Sequence, residues 1–404
     1  MKVAILCKGS LDNMKGVMNY VNEKAKRMSS FYCNGCVEVE TFLLETEWTW
    51  LFNVLVNHRF VLPSNPHNGD TRIQDDVKYQ YISYRYSVYD SIVTSKRLGK
   101  PISDSEVNSL AQYLKEYDVI ASHNPICHYL ALKIKEKYGI PVVLTWHGSD
   151  INIFPFSAPW KYNLIKSEIE SADMNFFVSK ALMHNSNRIT EKGKKEHIYT
   201  GPASIFKRLS EEEKKACRKK YANNRKYVIG YVGNIVDVKN VMVLPRIFHQ
   251  IVQLIPSSEV LFVVAGDGLL VPSLQNELNK LQIQVKFLGR VPPAEIPFVM
   301  NALDVLVLPS KNEGLGLVAL EARTCGANVV GSQVDGIPEA IAQPKNCFSL
   351  DDNFTDRISK RIVEILLNAE KPQPLSKGFS WESAIEKELS LYKSLIKQYE
   401  EEHS

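Results

Sequence analysis

Nine short β-rich runs, all but Gln284–Phe287 almost unbroken in apolar residues, recur along this chain and fall into two sets. Val3–Leu6, Val119–Ser122, Val142–Thr145 and Asn175–Val178 lie in the first half. Tyr227–Val232, Val260–Val264, Gln284–Phe287, Val305–Leu308 and Asn328–Gly331 lie in the second. A strand that is apolar at every position, rather than at every other one, needs cover on both faces. That is the condition of a parallel sheet flanked by helices. The longer amphipathic segments between the runs supply the crossovers. The two sets predict an α/β protein with two doubly wound, Rossmann-like domains, and 404 residues is too long for one ordinary core.

The boundary shows in composition. From Glu211 to Lys226 the chain is highly charged and poor in core residues, and the strand Tyr227–Val232 follows. This run reads as a solvated helix and places the start of the second domain within 205–226. The expected layout is a first domain over 1–205, a second over 206–375 and a last helix over 376–404. After Pro372 and Pro374, the positions Ile385, Leu389, Tyr392 and Ile396 recur at helical spacing, the mark of one buried stripe on a long helix. Residues 40–100 are the least regular. Their aromatic clusters, Trp48-Thr49-Trp50 and Tyr79–Tyr89 with Pro63 and Pro66 between, read as core or an edge hairpin.

Charge excludes some partners. The 49 basic and 45 acidic residues leave a net charge of +4, too little to indicate nucleic acid, although a diphosphate or an anionic membrane surface is compatible with it. Seven scattered cysteines point to a reducing compartment. Only Cys33 and Cys36 have metal-ligand spacing, and no second pair or nearby histidine completes a zinc site. The apolar start Val3–Leu6 is too short for a signal peptide, and no stretch approaches the length of a membrane span. The expected location is cytoplasmic, peripheral at most to the inner face of the membrane through Lys192–Lys195 and Lys214–Lys220.

The most informative stretch is Pro309-Ser310-Lys311-Asn312-Glu313-Gly314-Leu315-Gly316-Leu317, which continues through Glu321-Ala322. A strand ends at Leu308, a glycine-containing loop follows, and helix formers begin at Leu317. Backbone N–H groups at a helix N-terminus beside two glycines can hold a diphosphate without a metal. Glu313 and Glu321 flank that turn and suit hydrogen bonds to sugar and ribose hydroxyls. The same spacing also fits a plain strand–turn–helix with one solvated and one capping glutamate. No G-x-G-x-x-G follows the first strand, and Gly9…Gly16 has the wrong spacing for a dinucleotide fingerprint. No Asp-x-Asp motif stands ready to hold a divalent cation.

Residues 230–340 resemble the donor domain of the family-4 type of retaining GT-B glycosyltransferases, the glycosyl transferases group 1. The resemblance rests on five motifs in order. These are the Gly233-Asn234…Lys239 loop, Gly266-Asp267-Gly268, the strand Val285–Leu288 with Gly289-Arg290-Val291, the Glu313…Glu321 pair with seven residues between, and Gly336-Ile337-Pro338-Glu339. In the first half, Thr145-Trp146-His147-Gly148-Ser149-Asp150 and the loop at Lys15-Gly16-Val17 are similar to family motifs, with Lys15 where a second glycine is common. The resemblance implies a GT-B fold, two doubly wound Rossmann-like domains facing a central cleft, and a last helix that crosses back to the first domain.

It also implies roles. Glu313 would hold hydroxyls of the donor sugar, and the amides of Gly314, Leu315, Gly316 and Leu317 would hold its diphosphate. Glu321 would take the ribose, Val291 would meet the base, and Gly16 would belong to the glycine loop at the donor. Lys239 would neutralise the departing diphosphate, and His147 would stand near the reacting sugar. The family usually carries an arginine where Asn234 stands, so one positive charge is missing: either Arg290 or Lys15 supplies it or the donor geometry differs. The implied activity is a retaining, metal-independent transfer from a nucleotide-diphosphate sugar, UDP-linked, to a glycan or lipid-linked acceptor in bacterial surface polysaccharide synthesis. The front-face mechanism usually proposed has the leaving phosphate accept the proton. Two alternatives stay open: an epimerase or hydrolase using His147 with Asp150, and a non-catalytic partner subunit.

Overall fold

The computed structural model describes residues 1–402 except 13, 15, 31–36, 56–66 and 89–100, so Lys15, Cys33, Cys36, Pro63 and Pro66 lie outside the described residues. The chain divides into two compact units, one of residues 1–200 with 381–404 and the other of residues 201–380. The change of unit falls at Gly201, a few residues before the expected boundary, and Trp381 opens the terminal helix.

Unit 1 holds β1 (Lys2–Cys7), β2 (Glu38–Trp48), β3 (Thr71–Gln74), β4 (Val77–Tyr86), β5 (Val119–His123), β6 (Val142–Trp146), β7 (Met174–Phe177) and β8 (Lys195–His197). They form one sheet in the order β3-β4-β2-β1-β5-β6-β7-β8. All neighbours are parallel except β3 and β4, which form an antiparallel hairpin. Its two-residue turn places Asp75 and Asp76 both at positive φ, the backbone that a tight hairpin demands. The second aromatic cluster therefore begins as an edge hairpin, with Tyr79, Tyr81 and Tyr84 buried on β4.

Unit 2 holds β9 (Tyr227–Val232), β10 (Val260–Ala265), β11 (Val285–Gly289), β12 (Val305–Leu308), β13 (Asn328–Ser332) and β14 (Cys347–Phe348). Its sheet runs β11-β10-β9-β12-β13-β14, parallel throughout. Apolar side chains of β9, β10 and β12 share a core with the helices Leu244–Val252 and Phe354–Leu367, where Phe248 stacks on Phe262 at 4.1 Å. The charge run is a helix, Glu211–Ala222, started by a Ser210/Glu213 capping box with three acids in its first turn. Its basic residues are largely engaged: Lys214 meets Glu211, Arg218 meets Asp304, and Lys220 meets Glu295.

In both sheets the chain begins in the middle, builds outward to one side, and then returns to build the other. This creates a switch point between β1 and β5 in unit 1, and between β9 and β12 in unit 2. Loops leaving the carboxyl ends of those strands diverge there and open a crevice.

The terminal helix Trp381–Glu402 belongs to unit 1 through a buried contact with the helix Val17–Ser30. Lys24 Nζ meets Glu388 Oε2 with both side chains almost fully excluded from solvent, and Tyr392 OH donates to the same carboxylate. Lys24→Met leaves Glu388 charged and unpaired, and urea unfolding should show a loss of about 3–5 kcal/mol. The triple variant Lys24→Met/Glu388→Leu/Tyr392→Phe should recover most of it; equal losses in both would mean that packing, not charge pairing, holds the helix.

Candidate functional site

Lys239 and Glu313, both expected to hold parts of a nucleotide sugar, meet at the unit 2 switch point. The loop after β9 reaches its place by close backbone contact with the loop after β10. A Cβ on Gly266 would stand 1.8 Å from the Gly233 carbonyl oxygen, and one on Gly268 would stand 2.3 Å from that of Ile235. Ile235 donates its N–H to Asp267 O at 2.9 Å. The Gly-Asp-Gly motif is thus a steric requirement of this loop pair.

A short turn, Asp237–Lys239, then aims Lys239 at the loop after β12. That loop is tied back by Lys311 N to Val238 O and by Lys311 Nζ to Asp237 Oδ1, each at 2.9 Å. Lys239 Nζ and Glu313 Oε1 are in direct contact, both side chains mostly buried at 23% and 15% exposure. Ser310 Oγ donates to the same oxygen at 3.3 Å. Asp335 Oδ2 accepts from the Glu313 amide at 3.0 Å and from Asn312 Nδ2 at 3.1 Å, fixing the backbone that carries Glu313. Expected for different parts of a donor, Lys239 and Glu313 instead share one contact in this structure.

Gly316 caps the helix Leu317–Cys325 with φ of +83°, a left-handed conformation that suits glycine. The first N–H groups of that helix have no carbonyl within it to donate to, as at any helix start. Glu321 lies one turn inside. Burial pushes its carboxyl up to about 7, with no charged neighbour contributing. Asn234 is exposed, and its carbonyl accepts from Tyr231 OH at 2.6 Å. Val291 follows β11, half-buried, with Arg290 exposed beside it.

In unit 1, Gly16 lies in the loop after β1 at φ of +49° and starts the helix Val17–Ser30, its carbonyl accepting from Tyr20 N. His147 follows β6. Asp150 turns its carboxylate onto the backbone, accepting from His147 N at 2.8 Å and Gly148 N at 2.7 Å. Burial raises it to about 6 against those bonds. The His147 imidazole meets His123 instead, Nε2 to Nδ1 at 3.0 Å, and lies edge-on to Tyr20 with centroids 4.9 Å apart. Burial, with Lys24 nearby, drops His147 to about 3, so it is neutral. Asp150 thus shapes the turn and does not pair with the imidazole.

Sequence reasoning singled out neither Ser310 nor Asp335 as functional, and missed His123 and Tyr20. Asp335 carried a signal, because Asp-Gly at 335–336 favours a turn with positive φ, and Asp335 has φ of +46°. His123 ends a predicted strand, but nothing in the sequence pairs it with His147.

A carboxyl whose folded value lies above its ordinary 4.5 binds its proton more tightly when folded. Glu321 therefore costs stability as pH rises from 4.5 to about 7, and the full cost persists above. Glu321→Gln should be more stable than the parent at pH 8, by about 2 kcal/mol, and nearly equal to it at pH 4.5. Denaturant unfolding at both values checks this; a pH-independent difference would remove the burial assignment.

Two family profiles together span most of the chain. One described as "Glycosyl transferases group 1" matches residues 213–378, and one described as "Glycosyltransferase Family 4" matches residues 67–201. An uncharacterized glycosyltransferase of Methanocaldococcus jannaschii is 27% identical over 328 residues, 79% of this chain and 82% of its own. Among solved structures, sucrose-phosphate synthase from Thermosynechococcus elongatus superposes with a TM-score of 0.74 at 17% identity, covering 98% of this chain and 99% of that one. The Anabaena protein HepE in complex with UDP-glucose gives 0.65 at 17% identity, over 98% of each chain. Unit 2 carries the group 1 match with the Lys239–Glu313 site inside it, and unit 1 carries most of the family 4 match. The chain belongs to the group 1 glycosyltransferases of the family 4 type and has their GT-B fold.

Proposed function

We propose that this chain is a retaining, metal-independent glycosyltransferase that moves a sugar from a UDP-sugar to a glycan or lipid-linked acceptor during surface polysaccharide assembly. The observation that carries the donor reading is the Lys239–Glu313 contact at a switch point, facing a glycine-capped helix start. In this reading the helix start and Lys239 hold the diphosphate, Glu313 holds sugar hydroxyls, and Glu321 holds the ribose. The choice of UDP is supported by the complex of HepE with UDP-glucose. The acceptor class and the retained configuration rest on the family kinship.

The step breaks the bond between the anomeric carbon and the diphosphate oxygen and forms one to the acceptor hydroxyl oxygen on the same face. The acceptor proton passes to the departing diphosphate, and Lys239 stabilises the charge that grows there. Catalysis then comes from positioning and fixed charge. An epimerase or hydrolase would need an acid/base pair, whereas the Asp150 carboxylate is held by backbone amides and the His147 ring meets His123 instead. Among the described residues no helix is long and apolar enough to cross a membrane. Contact with a lipid-linked acceptor would be peripheral, and failure to bind anionic vesicles at low salt would remove it.

Donor binding is tested by thermal stabilisation with a panel of nucleoside diphosphates, with and without EDTA. UDP at a hundred times its dissociation constant should add about 2.7 kcal/mol, unchanged by EDTA. Stabilisation by no nucleotide would favour a non-catalytic partner instead. For the chemistry, Glu313→Gln and Lys239→Ala should each lower kcat by about 10²–10³-fold with the circular dichroism of the parent. Near-normal turnover in both would overturn the assignment.

A further inference from the structure

His123 closes β5, one strand away from His147 in the sheet, because β5 and β6 are parallel neighbours with His123 opposite Thr145. Its side chain is completely buried. Nδ1 lies 3.0 Å from His147 Nε2, while Nε2 is buried with no hydrogen-bond partner among the described residues. Two other rings border the pair: Tyr20 stands 5.7 Å from His123 and 4.9 Å from His147, and Trp381 of the terminal helix stands 5.1 Å from Tyr20. The charged group bearing on both imidazoles is Lys24, and burial first, then this cation, keeps both rings neutral.

Two neutral imidazoles sharing one hydrogen bond have two arrangements. In the first, His147 donates through Nε2–H, so His123 must carry its own proton on Nε2. That puts an N–H donor in the protein interior with no acceptor among the described residues. In the second, His123 donates through Nδ1–H to His147 Nε2, and only a lone pair is left unmet on His123. Orphaned buried N–H groups are rare, whereas under-satisfied acceptors are more often tolerated. His147 then carries its proton on Nδ1, the ring nitrogen that has no partner among the described residues.

We infer that His123 is a positioning residue that locks His147 in the Nδ1–H tautomer, so that His147 presents a hydrogen-bond donor to the substrate. This rests on the proposal that His147 stands near the transferred sugar. In that role His147 donates to a sugar or phosphate oxygen and takes no proton. It is a directional dipole whose aim is set from the neighbouring strand, as an outer partner orients a ligating imidazole in a metal site.

Long-range proton–nitrogen NMR on the full chain with ¹⁵N-labelled histidine, assigned with His147→Gln, reads the tautomer without any substrate. The Nδ1–H pattern for His147 at neutral pH is the expected result; the Nε2–H pattern or an imidazolium overturns the inference. Kinetics supply the second readout. His123→Asn keeps an N–H close to the Nδ1 position and should retain kcat within about threefold of the parent, whereas His123→Leu should lose about 10–100-fold in kcat with little change in donor KM. Thermal stabilisation by UDP in both variants reports that the donor unit is intact. Equal kcat in the two variants, at any level, overturns the inference. Where the parent transfers no sugar the glycosyltransferase proposal fails, and the tautomer still decides the His123 assignment.

Discussion

A parallel strand covered on both faces and bonded along both edges has only its ends free to do chemistry. That constraint organises both units. Every strand of unit 2 runs the same way, so the loops after β9, β10, β11 and β12 all leave from one edge of the sheet. The switch between β9 and β12 then sets two of those loops side by side at the point where the direction of building reverses. Lys239 and Glu313 are 74 positions apart in sequence and in direct contact in space because they leave adjacent strands on either side of that switch.

The chemistry depends equally on how closely backbones approach. A glycine at 266 or 268 is the condition for the loops after β9 and β10 to touch, and that contact sets the height at which the Asp237–Lys239 turn begins. Electrostatics then take over. Lys239 and Glu313 are both largely shielded from water, so each would be costly alone, and their contact gives each a partner. Glu321, a turn deeper and with no charged neighbour, solves the same problem by holding its proton near neutrality. Of two carboxylates eight residues apart, one therefore has a lysine beside it and the other has only burial.

Much of this was legible in the sequence. All nine runs are strands, and the glycine turn before Leu317 caps a helix, because runs rich in Val, Ile and Leu suit parallel strands covered on both faces and glycine marks left-handed backbone. Gln284–Phe287, which alternates polar and apolar residues, falls in the half-buried edge strand β11. The strand Glu38–Trp48 was not legible: Glu-Val-Glu-Thr-Phe-Leu-Leu-Glu-Thr-Glu-Trp interleaves charge with core, as a strand half-covered near the sheet edge does. Lys195–His197 and Cys347–Phe348 are too short to carry a period. At the site, glycines and glutamates at motif spacing were readable, but the groups that hold them were not. Asp335, Ser310 and His123 act through contacts that only the fold makes, and an aspartate, a serine or a histidine at a strand end looks the same whether it is paired or solvated.

The terminal helix shows the same limit most clearly. Its apolar stripe was visible at helical spacing, yet its decisive residues are polar ones within that stripe. Glu388 and Tyr392 close on Lys24, and Trp381 packs on Tyr20, the ring that also borders His123 and His147. Lys24 and Tyr20 lie four positions apart on one helix, hence on one face of it. Lys24, the cation that with burial lowers the His147 imidazole, is therefore held by a carboxylate that lies more than two hundred positions after that histidine. A chain cut before Trp381 would keep the strands of unit 1 and leave Lys24 without its counter-ion. The last helix therefore anchors the lysine and packs on the ring that borders His147, while the sheet carries the histidine itself.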